Sequence, residues 1–267
     1  MAAATGPVAA APARALGRRL LPWAGLLAAL ALWELGVAAL ASRTPIAHTF
    51  SPGASAAALQ SLLAGGELWP HIAASLRRVL IGLLLALLIG VPAGLALGLS
   101  PTFRLAVTPL LQLLRMISPL SWMPLAVMAL GIGDAPVIFL LVFAAVWPVL
   151  LNTAAGVAAL DPHWLRLARS LSATRGETLR QVILPGVVAH VLTGFRLAVG
   201  ILWIVLVPAE MLGVSSGLGY FILDTRDRLA YDELTATIVV IGLLGYALDA
   251  LARLAWRRWT RGAAPQD

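Results

Sequence analysis

Long apolar runs alternate with short arginine-bearing segments along this chain. Six runs stand out, at about 20–41, 72–99, 105–130, 137–160, 187–212 and 234–252. A helix needs ~20 apolar residues to cross a bilayer, and these runs are about that long. The pattern predicts an all-α, polytopic integral membrane protein with six transmembrane helices. Residues 1–19, rich in Ala and Pro, read as an N-terminal tail, and 42–70 as an external loop. In that loop Thr44-Pro45 and Ser51-Pro52-Gly53 are turn material, and 54–63 suits a short surface helix closed by Gly65-Gly66.

Polar and helix-breaking residues inside the runs single out particular spans. The first carries Glu34, and the default reading of an intramembrane acid is a functional one. The plainer reading turns Glu34 toward a neighbouring helix or the outer interface. Arg77 and Arg78 enter the second span near its outer end. Two placements suit them, snorkelling to the interface or an interfacial helix ahead of the span. The third span is interrupted by Pro109, Pro119 and Pro124 and holds Arg115, Ser118 and Ser121. Broken backbone is tolerated at membrane depth only against protein or a water-filled path, so this span is a candidate lining of a pore. Arg196 lies in the fifth span, with Pro208 and Glu210 near its outer end.

Between the fourth and fifth spans, residues 161–185 carry Arg166, Arg169, Arg175 and Arg180 and a single acid after Asp161, Glu177. Asp161 is a good N-cap and Pro162 a good first helical residue. The following helix, about 162–172, places Trp164, Leu167, Ala168 and Leu171 at i, i+3, i+4, i+7, one apolar face. A second short helix, 175–183, is expected to end before Pro185.

Composition confirms the class. The chain has 267 residues, 60% of them hydrophobic and 12% charged, too little charge to coat a soluble globule. The net charge is +7 and every basic residue is arginine. A basic soluble protein would suggest nucleic acid, but these arginines flank apolar runs. Arg14, Arg18, Arg19, Arg104, the four of 161–185 and Arg253, Arg257, Arg258 and Arg261 all fall on one side of a six-span topology. The positive-inside rule makes that side cytoplasmic and puts both termini there, residues 253–267 forming the C-terminal tail. Arg18-Arg19 before an apolar run also resembles an export signal, but the run is long for one. The chain contains no cysteine, no lysine and therefore no phosphate-binding Gly-x-x-x-x-Gly-Lys, no paired histidines and no Gly-x-Ser-x-Gly. No catalytic residue, metal site or cofactor is expected on this chain.

The spacing within 161–185 is similar to the cytoplasmic loop of ABC-importer permeases, Glu-Ala-Ala, three residues, Gly, nine residues, Ile-x-Leu-Pro. Val182-Ile183-Leu184-Pro185 supplies the end of the motif, Ser172 stands at the glycine and Arg166-Leu167-Ala168 at the Glu-Ala-Ala triplet. Four further segments occur in the order found in permeases for nitrate, bicarbonate, sulfonates and taurine: 117–127, 147–157, 192–212 and 217–224. The resemblance implies a type I-like permease fold over a core of 71–252. It implies a membrane subunit that binds no ATP or magnesium itself, these belonging to a partner ATPase. The other implied partners are an external solute-binding protein, a second permease copy and inner-membrane lipid.

The resemblance also implies that Trp164, Arg166, Leu167, Ala168, Leu171, Ser172 and Pro185 belong to the segment that couples to the ATPase. Arg115, Ser118, Ser121, Arg196 and Glu210 are the candidates for the path of a small oxyanion, nitrate-like ahead of sulfonate-like. Two other function classes fit the composition: an ion-coupled secondary transporter using Glu34 or Glu210, and a membrane scaffold.

Overall fold

The computed structural model describes residues 12–262, with side chains within 24–254. In chain order the helices are α1 (Pro12–Ala41), α2 (Pro52–Gly65), α3 (Leu68–Leu99), α4 (Pro101–Met116), α5 (Met123–Leu130), α6 (Asp134–Ala158), α7 (Pro162–Ser170), α8 (Arg175–Thr178), α9 (Leu184–Gly213), α10 (Leu218–Asp227) and α11 (Tyr231–Gly262). Tight 3₁₀ turns occupy Pro45–Phe50 and Pro119–Trp122, and a wide π turn, Leu179–Ile183, leads into α9. The described residues contain no strand. Of the expected N-terminal tail, residues 1–11 lie outside the described residues, and 12–19 are helical, continuous with α1. At the other end α11 continues past Ala252 to Gly262, and 263–267 lie outside the described residues.

Five helices among the described residues are long and apolar enough to cross a bilayer, and a bent pair of helices passes the same test taken together, which makes six if the pair is one span. That pair is α4 with the segment Pro119–Leu130, at 89° to each other. The break has a local cause. Ser118 precedes Pro119, whose ring disfavours the helical region for the residue before it. Ile117 (φ −78°, ψ 127°) and Ser118 (φ −58°, ψ 130°) are accordingly extended. Pro109 lies inside α4 without breaking it, and Pro124 falls in the tolerant first turn of α5.

The centre of the molecule is a three-helix stack of α3, α6 and α9. Along α3 the residues Gly82, Ala86, Gly90, Gly94 and Gly98 recur every fourth position, one stripe on one face. That stripe lies directly on α6. A Cβ at Gly82 would stand 2.9 Å from Leu141 Cβ, at Gly90 2.8 Å from Val149 Cγ1, and at Gly94 2.5 Å from the Leu150 carbonyl oxygen. At Gly98 it would stand 2.5 Å from Val157 Cβ. Both numbers of each pair rise together, so α3 and α6 run parallel with their backbones in contact. Between apolar helices in lipid, such close approach is the main source of attraction. Helix α9 runs antiparallel on the other side of α6, with Gly194 against Pro148 and Val149, and Gly156 against His190.

Helix α1 lies apart from this stack. It packs on the Pro45–Phe50 turn and α2, and the Trp33 indole N–H donates to the Phe50 carbonyl at 2.9 Å. Glu34 is exposed on α1.

Candidate functional site

At mid-height the bend between α4 and α5 opens a cavity of about 400 Å³. Arg115, Ile117 and Pro119 form one wall, Trp147 and Asn152 of α6 the floor, and α9 closes it with Leu197 and Ile201. The Asn152 side chain donates to the Pro148 carbonyl one turn before it, at 2.8 Å. The α6 side is aromatic. Phe143 meets Trp122 and Trp147, each at 5.5 Å between ring centroids. The only charged group in the lining is Arg115. Among the described residues no carboxylate lies within ion-pair distance of it.

Two smaller hollows adjoin this cavity. Toward α4 it shares Arg115, Trp147 and Leu151 with a small recess that also contains Gln112. Toward α11 it shares Leu197 and Ile201 with a groove holding Arg196 and Asp249. Arg115 and Arg196 thus line neighbouring hollows and are in different states. The Arg196 Nε is 3.5 Å from Asp249, which also pairs with Arg253 one turn along α11. Ser118 and Ser121 stand at the bend, where the Ser121 N–H donates to the Ser118 carbonyl at 3.0 Å. Neither lines the cavity.

Glu210 is elsewhere. It is fully buried where the α3, α6 and α9 ends meet the start of α10. Its carboxylate accepts from Arg78 Nη1 at 2.6 Å, the Ser75 hydroxyl at 2.8 Å and the Gly219 N–H at 2.9 Å. Arg78 is as deeply buried, 1% exposed, which corrects the expectation of snorkelling or an interfacial position. Its Nε donates to Asp134 at 2.8 Å and Nη1 also to the Ser216 carbonyl at 2.7 Å. Arg77, on the exposed side, pairs with Asp134 as well.

The cause is register: Arg78 sits four residues before Gly82, on the stripe that faces inward. Burying a charge is tolerable because every donor finds an acceptor.

The same cluster closes the start of α10. Gly217 (φ 116°, ψ 166°) adopts a conformation that essentially only glycine reaches, and a Cβ there would stand 2.5 Å from Arg78 and Glu210. The N–H groups of Gly217, Leu218 and Gly219 go to His71 Nδ1 (3.1 Å), Ser75 Oγ (2.8 Å) and Glu210 (2.9 Å). Unpaired N–H groups at a helix start attract an anion, and here the chain supplies its own.

At the opposite end lies the arginine-rich segment. The Asp161 side chain accepts from the His163 N–H at 2.8 Å and begins α7. Trp164, Leu167 and Leu171 are exposed, at 61, 48 and 73%. Ala168 departs from the expected common face: it is buried, 7% exposed, against the chain itself. The outward apolar patch is therefore three residues wide. Arg166 contacts the His163 ring at 3.1 Å.

Helix α7 ends in a reversal with Ser172 in the left-handed region, φ 57°. The N–H of Ser172 donates to Arg169 O and that of Ala173 to Ala168 O, both at 3.0 Å. This is the helix ending that favours glycine. Thr174 then caps α8 reciprocally with Glu177. Pro185 does not terminate the helix as expected. The π turn bonds the Leu184 N–H to Leu179 O, which carries the helix through the position where proline lacks a donor.

Sequence reasoning missed His71, Ser75, Asp134 and Asp249. The four-residue stripe through Arg78 and Gly82 to Gly98 was the available signal for the first cluster. Asp249 lies in the sixth run as a lone intramembrane acid, which is itself a flag.

Residues 79–261 match the family described as binding-protein-dependent transport system inner membrane component. The chain is 37% identical over 193 residues to the taurine transport system permease protein TauC of Escherichia coli strain K12, covering 72% of this chain and 70% of that one. It is 34% identical over 250 residues to the bicarbonate transport system permease protein CmpB of Synechococcus elongatus, covering 90% and 88%. Among solved structures, an inward-facing form of the MetNI methionine ABC transporter matches the fold with a TM-score of 0.61 at 16% identity, over 75% of this chain and 99% of that one.

Proposed function

The chain belongs to the binding-protein-dependent transport system inner membrane component family, and on that premise we propose that it carries a small oxyanion across the membrane as the permease subunit of an ATP-driven importer. The observation that carries the solute class is Arg115. It is the charged member of the lining of an otherwise largely apolar cavity at mid-height, with no carboxylate partner among the described residues. Such a cation attracts an anion in transit, and its planar fork suits an ion with several acceptor oxygens. Taurine and bicarbonate, the solutes named for the two relatives, share that chemistry. Arg196 is the weaker candidate, because it already has an ion-pair partner in Asp249.

In this reading the arginine-rich α7 end faces the cytoplasm and both termini lie there, with the chain in the inner membrane. The patch of Trp164, Leu167 and Leu171 enters a groove on a partner ATPase, which binds ATP and magnesium. A groove accepting an amphipathic helix needs such exposed apolar anchors. A solute-binding protein docks at the α10 end. A second permease copy completes the path, and the two units rock between inward- and outward-open states. The bend at Ile117-Ser118 gives the path its non-helical lining.

Uptake by the assembled transporter tests the solute class. Arg115→Ala is expected to lower uptake by about tenfold or more, the loss of one charge-assisted hydrogen bond of roughly 1.5–3 kcal/mol. Arg115→Lys keeps the charge but not the fork and should retain part of it. Normal uptake by both variants at normal expression removes Arg115 from the path. Competition between nitrate, taurine and bicarbonate ranks the solutes.

A further inference from the structure

A second basic cavity, of about 640 Å³, lies behind the arginine-rich segment. Its apolar side is formed by Leu99, the last residue of α3, with Leu165, Leu179 and Ile183. Arg169 and Arg175 stand at its edge. It lies on the flank of α7 opposite the exposed patch, since Leu165 turns inward onto the cluster of Val157, Ile183 and Val187.

The charge here is unbalanced. The nearest acid in sequence, Glu177, accepts from the Thr174 N–H and hydroxyl on one oxygen, at 2.7 Å each, and makes no ion pair among the described residues. Among the described residues no carboxylate lies within ion-pair distance of Arg169 or Arg175. Arg169 Nε donates to the Leu165 carbonyl at 3.2 Å, which anchors the stem and leaves the two terminal nitrogens for another acceptor.

We propose that this cavity is a binding site for one anionic phospholipid, with its phosphate on Arg169 and Arg175 and the upper part of an acyl chain against Leu99, Leu165, Leu179 and Ile183. The cavity sits where a membrane span ends, the level at which headgroups meet hydrocarbon. A cationic rim over an apolar wall matches a ligand with an anionic head on an apolar tail. Two sources offer the phosphate, a lipid or a free phosphate ion, and the four apolar walls select the lipid. Basic pockets between helices on the cytoplasmic side take such headgroups. The bound lipid would fill the space under α7 and fix the angle at which α7 is presented. The proposal needs only that the chain spans a membrane, not that its solute is an oxyanion.

The test uses the purified full chain in neutral detergent with an equimolar mixture of phosphatidylglycerol and phosphatidylcholine of matched chains, and native mass spectrometry counts the bound lipids. The expected result is one phosphatidylglycerol retained in preference to phosphatidylcholine. In Arg169→Gln/Arg175→Gln that preference should fall by roughly thirtyfold, from two arginines near a phosphate. Arg169→Lys/Arg175→Lys should keep most of it, and an unchanged phosphatidylcholine count shows that the Gln variant is folded. Equal retention of both lipids by the parent chain, or an undiminished preference in the Gln variant, overturns the proposal. So does displacement by inorganic phosphate as effective as that by short-chain phosphatidylglycerol, because the apolar wall would then contribute nothing.

Discussion

Replacing Arg78 with methionine removes the cation from the buried cluster and keeps most of the side chain's volume. Glu210 then retains Ser75 and the Gly219 N–H, at 2.8 and 2.9 Å, but loses its one ionic partner among the described residues. Asp134 keeps Arg77 alone, on the exposed side. Removing one member of a buried ion pair costs about 3–5 kcal/mol, because the other charge stays buried and uncompensated. Glu210→Leu strands Arg78 in the same way, although Asp134 and Ser216 still hold it, so its cost should fall toward the lower end of that range. The double variant Arg78→Met/Glu210→Leu leaves no buried charge unpaired at this contact and should cost less than the two single changes together. The measurement is reversible unfolding in mixed detergent micelles, read as a double-mutant cycle. Amide exchange at Gly217, Leu218 and Gly219 is followed in parallel. Exchange at these amides should accelerate in both single variants, since their acceptors belong to the cluster. If Arg78→Met costs under about 1 kcal/mol, or the two changes are additive, the cluster is not a coupled buried unit and the reasoning fails.

Three further outcomes follow from the geometry. Gly94→Val should destabilise the chain strongly, as its Cβ would meet the Leu150 carbonyl at 2.5 Å, while Gly200→Ala, with nothing within 4 Å, should be nearly neutral; thermal unfolding of both in detergent checks this. Ser172→Gly should stabilise α7 and its reversal by up to about 1 kcal/mol and Ser172→Val should destabilise them, both read by proteolysis of the 161–185 segment. Trp164→Ala/Leu167→Ala should leave melting unchanged, since both side chains are exposed, and should abolish co-purification of the ATPase; retained co-purification would move the docking surface elsewhere.

Hydropathy alone locates the long apolar helices, because a span has few ways to be anything but a helix. Proline placement foretold the bend, though not which proline makes it. Pro119 acts because two residues before it leave the helix, whereas Pro109 stays inside α4. The loop spacing marked Ser172 as the stand-in for glycine, and its left-handed backbone supplies the physical reason for that position. Arg78 was misjudged because hydropathy and topology treat arginine as a surface charge. Its burial depends on Glu210 and Ser216, more than a hundred residues away, and only tertiary folding brings them together. Ala168 was misplaced for a smaller reason. Spacing of i, i+3, i+4, i+7 defines an arc, and one edge of that arc rests on the chain's own bundle.

The stripe on α3 bears on how much chain may separate it from α6. Gly82, Gly90, Gly94 and Gly98 meet Leu141, Val149, Thr153 and Val157 of α6, partners a constant distance along the sequence. Contact between the two helices, not the length of the intervening α4–α5 segment, thus fixes their relative height. Residues inserted into or deleted from the connection at 131–133 should leave the pairing intact, because the connection carries no part of the alignment. A single residue inserted between Gly82 and Gly98 would instead rotate every later small residue about 100° around the helix and set leucines against α6. Among natural variants of this chain, length changes are accordingly expected in the connection and not within the stripe.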